Sequence, residues 1–582
     1  MTDTLARSPT ERLDDLFHAT LARGTRSLSL IAPGLALADW ATHLALSPGR
    51  CAELGTLAQQ QARAWADYAL QSAAATLQLP GSETASPPEA PLADRRFAAP
   101  DWQRWPFNVM QQAFVLQEAW WAQATGPVWG VEKHHTDLMS FWTRQWLDVG
   151  SPANLPWTNP LVLRRAAEQG GQNFLRGLQD WLDDAQRLQS GAPPAGTEAF
   201  AAGRNLAMTP GQVVWRNELM ELIQYTPQTE QVHAEPLLIV PAWIMKYYIL
   251  DLAPGSSLIE YLVRQGHTVF AISWKNPGAE QRELGMEDYL QLGIAEALRV
   301  INAVVPRQPV HAVGYCLGGT LLALAATAMA RDGDARLASL TLFAAQTDFS
   351  EPGELSLFID ESQLGMLEAQ MKETGYLRAE QMAGAFQMLR SYDLLWSRLV
   401  QDYLLGDRTR LNALMAWNAD STRMPARMHS DYLRQLFLRN DLAEGRYEVG
   451  GHAVALSSLH LPLYLVGTET DHVAPWRSVY KLHHLCPAEI RFALTSGGHN
   501  AGVVNPPGDG HRHYRAATAA PGQPYVAPND WLAATPAQEG SWWPDWAAWL
   551  QARSGPLVKP PRLGAKTAPP LGDAPGLYVM ER

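Results

Sequence analysis

"HAVGYCLGGT", residues 311–320, contains the pentapeptide Gly314-Tyr315-Cys316-Leu317-Gly318, a Gly-x-Cys-x-Gly pattern. An apolar, β-branched run, "PVHAVGY" (309–315), precedes the cysteine, and a charge-free apolar segment follows it as far as residue 330. A strand, a glycine-rich corner and then a helix is the arrangement that lifts a nucleophile onto a sharp turn, usually a serine in Gly-x-Ser-x-Gly. Glycines at 314, 318 and 319 permit the corner and let the helix approach the strand closely. The positive end of the helix dipole behind the corner favours a thiolate. A small buried cysteine in a glycine-rich turn would show the same residues, so the decision falls to the rest of the chain.

Five further runs read as strands: 236–241, 268–274, 338–344, 462–467 and 490–495. Helical patterns separate most of the six, and such alternation predicts a parallel sheet with helices on both faces. The long segment 349–455 is rich in Leu, Met, Tyr and Trp at helical spacing, and is expected to form a cap above the sheet. "GTETDHVAPW" follows the run 462–467 and places Asp471 on a strand-end loop. "SGGHNAGVV" follows 490–495 and places His499 on the next one. Open α/β sheets build their sites at such carboxyl ends. Nucleophile, acid, base is also the chain order of α/β-hydrolases. The expected fold class is therefore α/β: an α/β-hydrolase fold with a helical cap insertion, preceded by a mainly helical N-terminal domain.

The expected site follows. Cys316 is the candidate nucleophile. His499 is the candidate base, needed because an ordinary thiol is only a few per cent ionised at neutral pH. Asp471 either orients the imidazole or assists deprotonation of an attacking hydroxyl. The oxyanion donors are expected to be the backbone N–H groups of Leu317 and of the loop 241–243, at Ala242. His472 is a candidate supporting group beside Asp471. His134/His135, His483/His484 and the run 510–514 lack cysteine or carboxylate partners at ligand spacing, so they read as packed or solvated and no metal is expected. Cys51 and Cys486 have no motif around them and read as packing residues.

The chain has 582 residues, is 47% hydrophobic and carries a net charge of −12, which argues against nucleic acid as a partner. Three cysteines make no disulfide framework and point to a reducing compartment. The N-terminus has no apolar signal core, and the apolar run 314–330 is short for a bilayer span of about 20 residues. A cytoplasmic protein with no transmembrane segment is expected. Residues 1–90 read as a helical extension ending in a linker, "PGSETASPPEAPLAD" (80–94). Residues 91–230 read as a Trp-rich helical domain with a second linker at 191–200, 231–552 as the catalytic domain and 553–582 as an irregular tail. Eight tryptophans lie between 101 and 157, and are expected to pack inside the helical domain rather than face a lipid-like polymer or a partner.

With the elbow, Asp471 and His499 in place, further segments resemble those of the polyhydroxyalkanoate synthases, also called poly(3-hydroxybutyrate) polymerases, and most closely the single-subunit type. They include "DRRFAAPDW" (94–102), "SPANLPWTNP" (151–160), "GRNLAMTPGQVVWRNELMELIQYTP" (203–227), "VPAWIMKYYILDL" (240–252), "GHTVFAISWKNP" (266–277), "AWNAD" (416–420), "DHVAPW" (471–476) and "GSWWPDWAAWL" (540–550). The resemblance implies an acyltransferase that polymerises (R)-3-hydroxyacyl-CoA, with short side chains such as 3-hydroxybutyryl-CoA, into a growing polyester chain, releasing coenzyme A and using no cofactor. It further implies work at a storage granule surface, a homodimer, and Cys316, Asp471 and His499 as nucleophile, acid and base. A thiol suits that reaction, since acylating Cys316 exchanges one thioester for another. Two departures fall near the expected pocket. His499 sits in Gly-Gly-His-Asn where the usual pattern is Ser-Gly-His-Ile, and "PAWIMK" stands where many members have Pro-Pro-x-Ile-x-Lys. A thioesterase or intracellular depolymerase of the same fold, and a non-catalytic granule-associated scaffold, remain as alternatives at this stage.

Overall fold

Each of the six predicted runs is a strand, and five more complete an 11-stranded sheet. In chain order the strands are β1 (Gly211–Arg216), β2 (Met220–Tyr225), β3 (Leu237–Val240), β4 (Val269–Trp274), β5 (Val310–Tyr315), β6 (Leu337–Phe343), β7 (Leu463–Thr468), β8 (Ile490–Thr495), β9 (His513–Ala519), β10 (Gln538–Glu539) and β11 (Gly572–Asp573). Their spatial order is β10-β9-β8-β7-β6-β5-β3-β4-β2-β1-β11. The computed structural model describes residues 8–25, 27–77, 90–508 and 510–582. Most of the expected linker 80–94 lies outside them.

The six predicted strands form the parallel centre. The sheet is nevertheless mixed, not wholly parallel, because β2 pairs antiparallel with β4, β1 with β2, β9 with β8, β10 with β9 and β11 with β1. The sequence pattern hides β2. Its residues are buried throughout, yet Glu221 and Gln224 interrupt the apolar run. Both find partners in the last residues of the chain. Glu221 Oε2 accepts from the amides of Leu577 and Tyr578, each at 2.9 Å, and its Oε1 accepts from Arg216 Nε at 2.7 Å. Gln224 accepts from the Gly564 amide at 2.8 Å and donates to the Arg562 carbonyl at 3.1 Å. The segment expected to be an irregular tail therefore closes a sheet edge. Leu557–Val558 pairs with Val232–His233, and β11 pairs with β1.

Packing alternates across the strands, as their two-residue period requires. Leu238, Ile272, Leu342 and Leu465 face the helix Leu317–Arg331. Ile239, Val313, Phe343 and Val466 face the helices Leu258–Arg264 and Trp543–Gln551. Burial on both faces explains why the central strands read as continuous apolar runs.

The chain divides into two compact units. The sheet unit comprises Met1–Ser27, Gly196–Ala383 and Leu411–Arg582. It takes in the hairpin β1–β2, so it starts well before residue 231. Its N-terminal helix Pro9–Gly24 opens with a capping box, Ser8 with Glu11, a signal visible in the sequence. That helix lies on Glu361–Thr374 of the insertion, with Lys372–Asp15 and Arg23–Glu373 ion pairs at 2.8 Å each. The insertion 349–455 is largely helical, as expected of a cap, but Gly384–Arg410 belongs to the second unit with Leu28–Ala195. In that unit Gly177 packs on the Tyr403 backbone so closely that a Cβ would overlap its carbonyl. Arg408 pairs there with Asp180, Asp183 and Asp184.

Glu221→Leu leaves two tail amides and Arg216 without their acceptor, and should cost about 1–3 kcal/mol in urea unfolding. Hydrogen exchange at Leu577 and Tyr578 should accelerate in the same variant. Unchanged protection there would show that Glu221 does not hold the tail.

Candidate active site

Cys316 caps the helix Leu317–Arg331 with φ 53° and ψ −126°, a conformation an L residue adopts only under constraint, at about 1–3 kcal/mol. The surroundings impose it. The Cys316 amide donates to the Phe343 carbonyl of β6 at 2.9 Å, and its own carbonyl accepts from Gly319 at 2.9 Å. A Cβ at Gly318 would lie 2.2 Å from the Val240 carbonyl oxygen and 2.4 Å from that of Pro241. The first helical turn is thus seated directly on the end of β3, beside Ala242.

Side chains drawn from distant segments brace the loop after β3. Trp274 Nε1 donates to the Pro241 carbonyl at 2.8 Å, Thr422 Oγ1 to that of Trp243 at 2.7 Å, and Trp417 Nε1 to that of Lys246 at 2.7 Å. With these carbonyls engaged, the loop at Ala242 and the amide of Leu317, which as the first helical residue has no intrahelical acceptor, form the candidate oxyanion site. Trp243, next to the departing residue Ala242, is 1% exposed and packs on Tyr289 and Tyr432.

Asp471 and His499 meet as their loops predicted. His499 Nδ1 lies 2.7 Å from Asp471 Oδ2. Asp471 Oδ2 also accepts from Thr468 Oγ1 at 2.8 Å, and Oδ1 accepts from the amides of Val473 and Ala474 at 2.9 Å each. The amide bonds form a local turn of the kind aspartate favours. The Asp471 side chain is 0% exposed and that of His499 10%, so solvent screens the pair little. Burial acts against ionisation of Asp471, but the His499 charge and the hydrogen bonds hold its carboxyl below the ordinary value of 3.8. Burial likewise opposes the imidazolium, yet the charges of Asp471 and Cys316, with the hydrogen bond to Asp471, raise His499 well above 6.5. The imidazole is thus anchored on the carboxylate and lies within the electrostatic reach of Cys316.

The His499 loop is itself tied down. Gly497 adopts φ 102°, and a Cβ there would meet Arg512 Nη1 at 2.6 Å, which accounts for the extra glycine before the histidine. Trp542 and Trp543 donate their indole N–H groups to the Gly502 and Val503 carbonyls at 3.0 Å each.

The structure thus brings Cys316, Asp471 and His499 together, with Leu317 beside the 241–243 loop. His472 contributes its backbone carbonyl, which accepts from the Glu354 amide at 3.2 Å and holds the start of the insertion. Three groups escaped the sequence reading. Thr468 supports Asp471 and sits three residues before it, a spacing that could have flagged it. Tyr432 arrives from the insertion and feels the Cys316 charge, so burial first and that charge second raise its hydroxyl pKa well above 10. The Tyr315 hydroxyl donates to Asn500 Oδ1 at 2.6 Å.

Elsewhere, His135 bonds Asp39, His483 and His484 stack on Tyr480 and Tyr525, and His513 bonds Glu469. Among the described residues no group of three His, Cys, Asp or Glu side chains is placed to hold a metal, and no helix is long and apolar enough to cross a membrane. Cys486 is buried, and burial pushes its thiol up to about 11. Cys51 is exposed rather than packed, since only its sulfur leans on the Leu44 carbonyl. Several tryptophans expected inside the helical domain are also exposed, among them Trp129 (77%), Trp146 (75%) and Trp157 (68%).

The lowered Asp471 and raised His499 values define a pH window for their bond. The carboxylate's share is present above 3.8 and is lost as pH falls through the depressed value. The imidazolium's share is complete below 6.5 and is lost as pH rises through the raised value. The stability gap between the native chain and Asp471→Asn should be widest between about pH 4 and 6.5, and narrow on either side. Urea unfolding from pH 3 to 9 measures it, and a gap independent of pH would contradict the pairing.

Comparison with known proteins identifies the family. Residues 93–262 match the family profile described as "Poly-beta-hydroxybutyrate polymerase (PhaC) N-terminus", residues 8–50 match "Poly-beta-hydroxybutyrate polymerase N terminal", and residues 235–506 match "alpha/beta hydrolase fold". The chain is 39% identical to the poly(3-hydroxyalkanoate) polymerase of Methylorubrum extorquens, over 90% of this chain and 86% of that one. It is 36% identical to the poly(3-hydroxyalkanoate) polymerase subunit PhaC of Cupriavidus necator, over 84% of each. Likeness at that level, running through both the helical region and the sheet that carries Cys316, Asp471 and His499, places the chain in the poly(3-hydroxyalkanoate) polymerase family.

Proposed function

We propose that this protein is an acyltransferase that polymerises (R)-3-hydroxyacyl-CoA, chiefly 3-hydroxybutyryl-CoA, into polyhydroxyalkanoate through a thioester on Cys316. The carrying observation is the His499–Asp471 hydrogen bond beside Cys316 at a strand-to-helix elbow, in a chain of the polymerase family.

The Cys316 proton passes to His499, and the sulfur attacks the thioester carbonyl of the substrate. The amides of Leu317 and Ala242 hold the oxyanion that forms. The bond to the coenzyme A sulfur breaks, and coenzyme A leaves with the proton from His499. The hydroxyl of the next unit or of the chain then gives its proton to His499, and its oxygen attacks the Cys316 thioester. An ester forms, the Cys316–acyl bond breaks and the thiol is restored. The raised His499 value supports an imidazolium that holds the Cys316 proton until coenzyme A departs with it. Four donors surround the two Asp471 oxygens, which supports a role in orienting His499 rather than in deprotonating the hydroxyl. Tyr432, brought beside Cys316 by the insertion, supports a cap that keeps water from the acyl-enzyme.

The reading needs no cofactor. It extends to a cytoplasmic homodimer at the storage granule, for which the exposed tryptophans of the second unit are suited. Binding to purified granules and light scattering test those two points.

Incubated with 3-hydroxybutyryl-CoA, the protein should release coenzyme A and form polymer. Cys316→Ala should stop release, and His499→Ala should slow it by about 10²–10⁴-fold. Free 3-hydroxybutyrate without polymer would make the protein a thioesterase or depolymerase. Release unaffected by Cys316→Ala would make the scaffold reading the better one.

A further inference from the structure

Tyr315 immediately precedes Cys316, and Asn500 immediately follows His499. The Tyr315 hydroxyl donates to Asn500 Oδ1 at 2.6 Å. The Tyr315 ring lies against the His499 imidazole, with centroids 5.6 Å apart and planes at 34°. Tyr315 is buried on the sheet, at 2% exposure. One hydrogen bond therefore joins the end of β5 to the loop after β8, although β6 and β7 lie between those strands.

Asp471 fixes the imidazole at Nδ1 only. A single bond at one edge leaves the ring free to pivot about that bond. The Tyr315 ring lies beside the imidazole at a tilt, and its hydroxyl is bonded to the residue that follows His499 in the chain. We infer that the Tyr315–Asn500 hydrogen bond is a positioning tie that sets the aim of the His499 imidazole at the Cys316 thiol. The inference rests on the reading of these two side chains as the reacting pair.

Such a tie has a distinctive energetic signature. Both partners act through one bond, so either change alone or both together removes the same aim, while the buried polar atom left unpaired by a single change costs stability in addition. Tyr315→Phe and Asn500→Leu are the matching substitutions. Each single variant and the double variant are compared in the full chain, well below the unfolding temperature. The first readout is the rate at which iodoacetamide alkylates Cys316, followed by mass on the Cys316 peptide because Cys51 is exposed. The second is kcat and KM for coenzyme A release.

Each single variant should lower the alkylation rate and kcat by about tenfold, with KM within about twofold, and the double variant should be no slower than the singles, because all three lose the same bond. Single variants that lose thermal stability but alkylate at the native rate would overturn the inference, and so would a double variant as slow as the product of the singles. A chain that shows the alkylation pattern but never releases coenzyme A supports the tie and overturns the polymerase reading instead.

Discussion

Everything at the candidate site depends on one backbone turn. Cys316 is held at φ 53° because three structures converge on it: the end of β5, the first turn of the following helix, and the carbonyls at the end of β3. Residues with side chains at 314 or 318 would push the helix away from the sheet. The thiol would then leave the corner, and the Leu317 amide would part from the loop at Ala242. The strain of the turn is the condition for presenting a side chain, a helix N-terminus and a second amide at one point.

Around that corner, distant segments restrain the loops more than their own residues do. Trp274, Trp417 and Thr422 engage the carbonyls of the loop after β3, and Trp542 and Trp543 engage those of the loop after His499. An indole N–H has no acceptor function, so each of the four tryptophan contacts is a one-way donation that fixes a carbonyl without competing for an amide. Amides left over in such loops are the groups an oxyanion needs. This explains why short motifs far from the elbow, such as "AWNAD" and "GSWWPDWAAWL", accompany it in the sequence.

The electrostatics are equally local. Asp471 has every lone-pair direction occupied, which keeps it ionised despite complete burial. Its charge and that of the thiol outweigh the burial that would otherwise depress the imidazole. The pair is legible as Asp471 and His499 on successive strand-end loops, because strand order and chain order place them together. Tyr432 and Asn500 are not legible in the same way, since their roles depend on where a side chain points once the loops are packed.

The sequence by itself determined the central sheet. Six apolar runs of strand length, separated by helical patterns, allow only a parallel arrangement buried on both faces, and that arrangement carries Cys316, Asp471 and His499 to one edge. The tertiary structure alone decided the edges and the division into units. Glu221 and Gln224 break the apolar pattern of β2, and only partners hundreds of residues away, in the tail, make their burial tolerable. The insertion looked like one helical cap, yet Gly384–Arg410 packs with Leu28–Ala195 because Arg408 and the Tyr403 backbone find their complements there. Periodicity reports which face of a segment is apolar. Which distant polar group satisfies a buried carboxylate is settled only when the chain has closed.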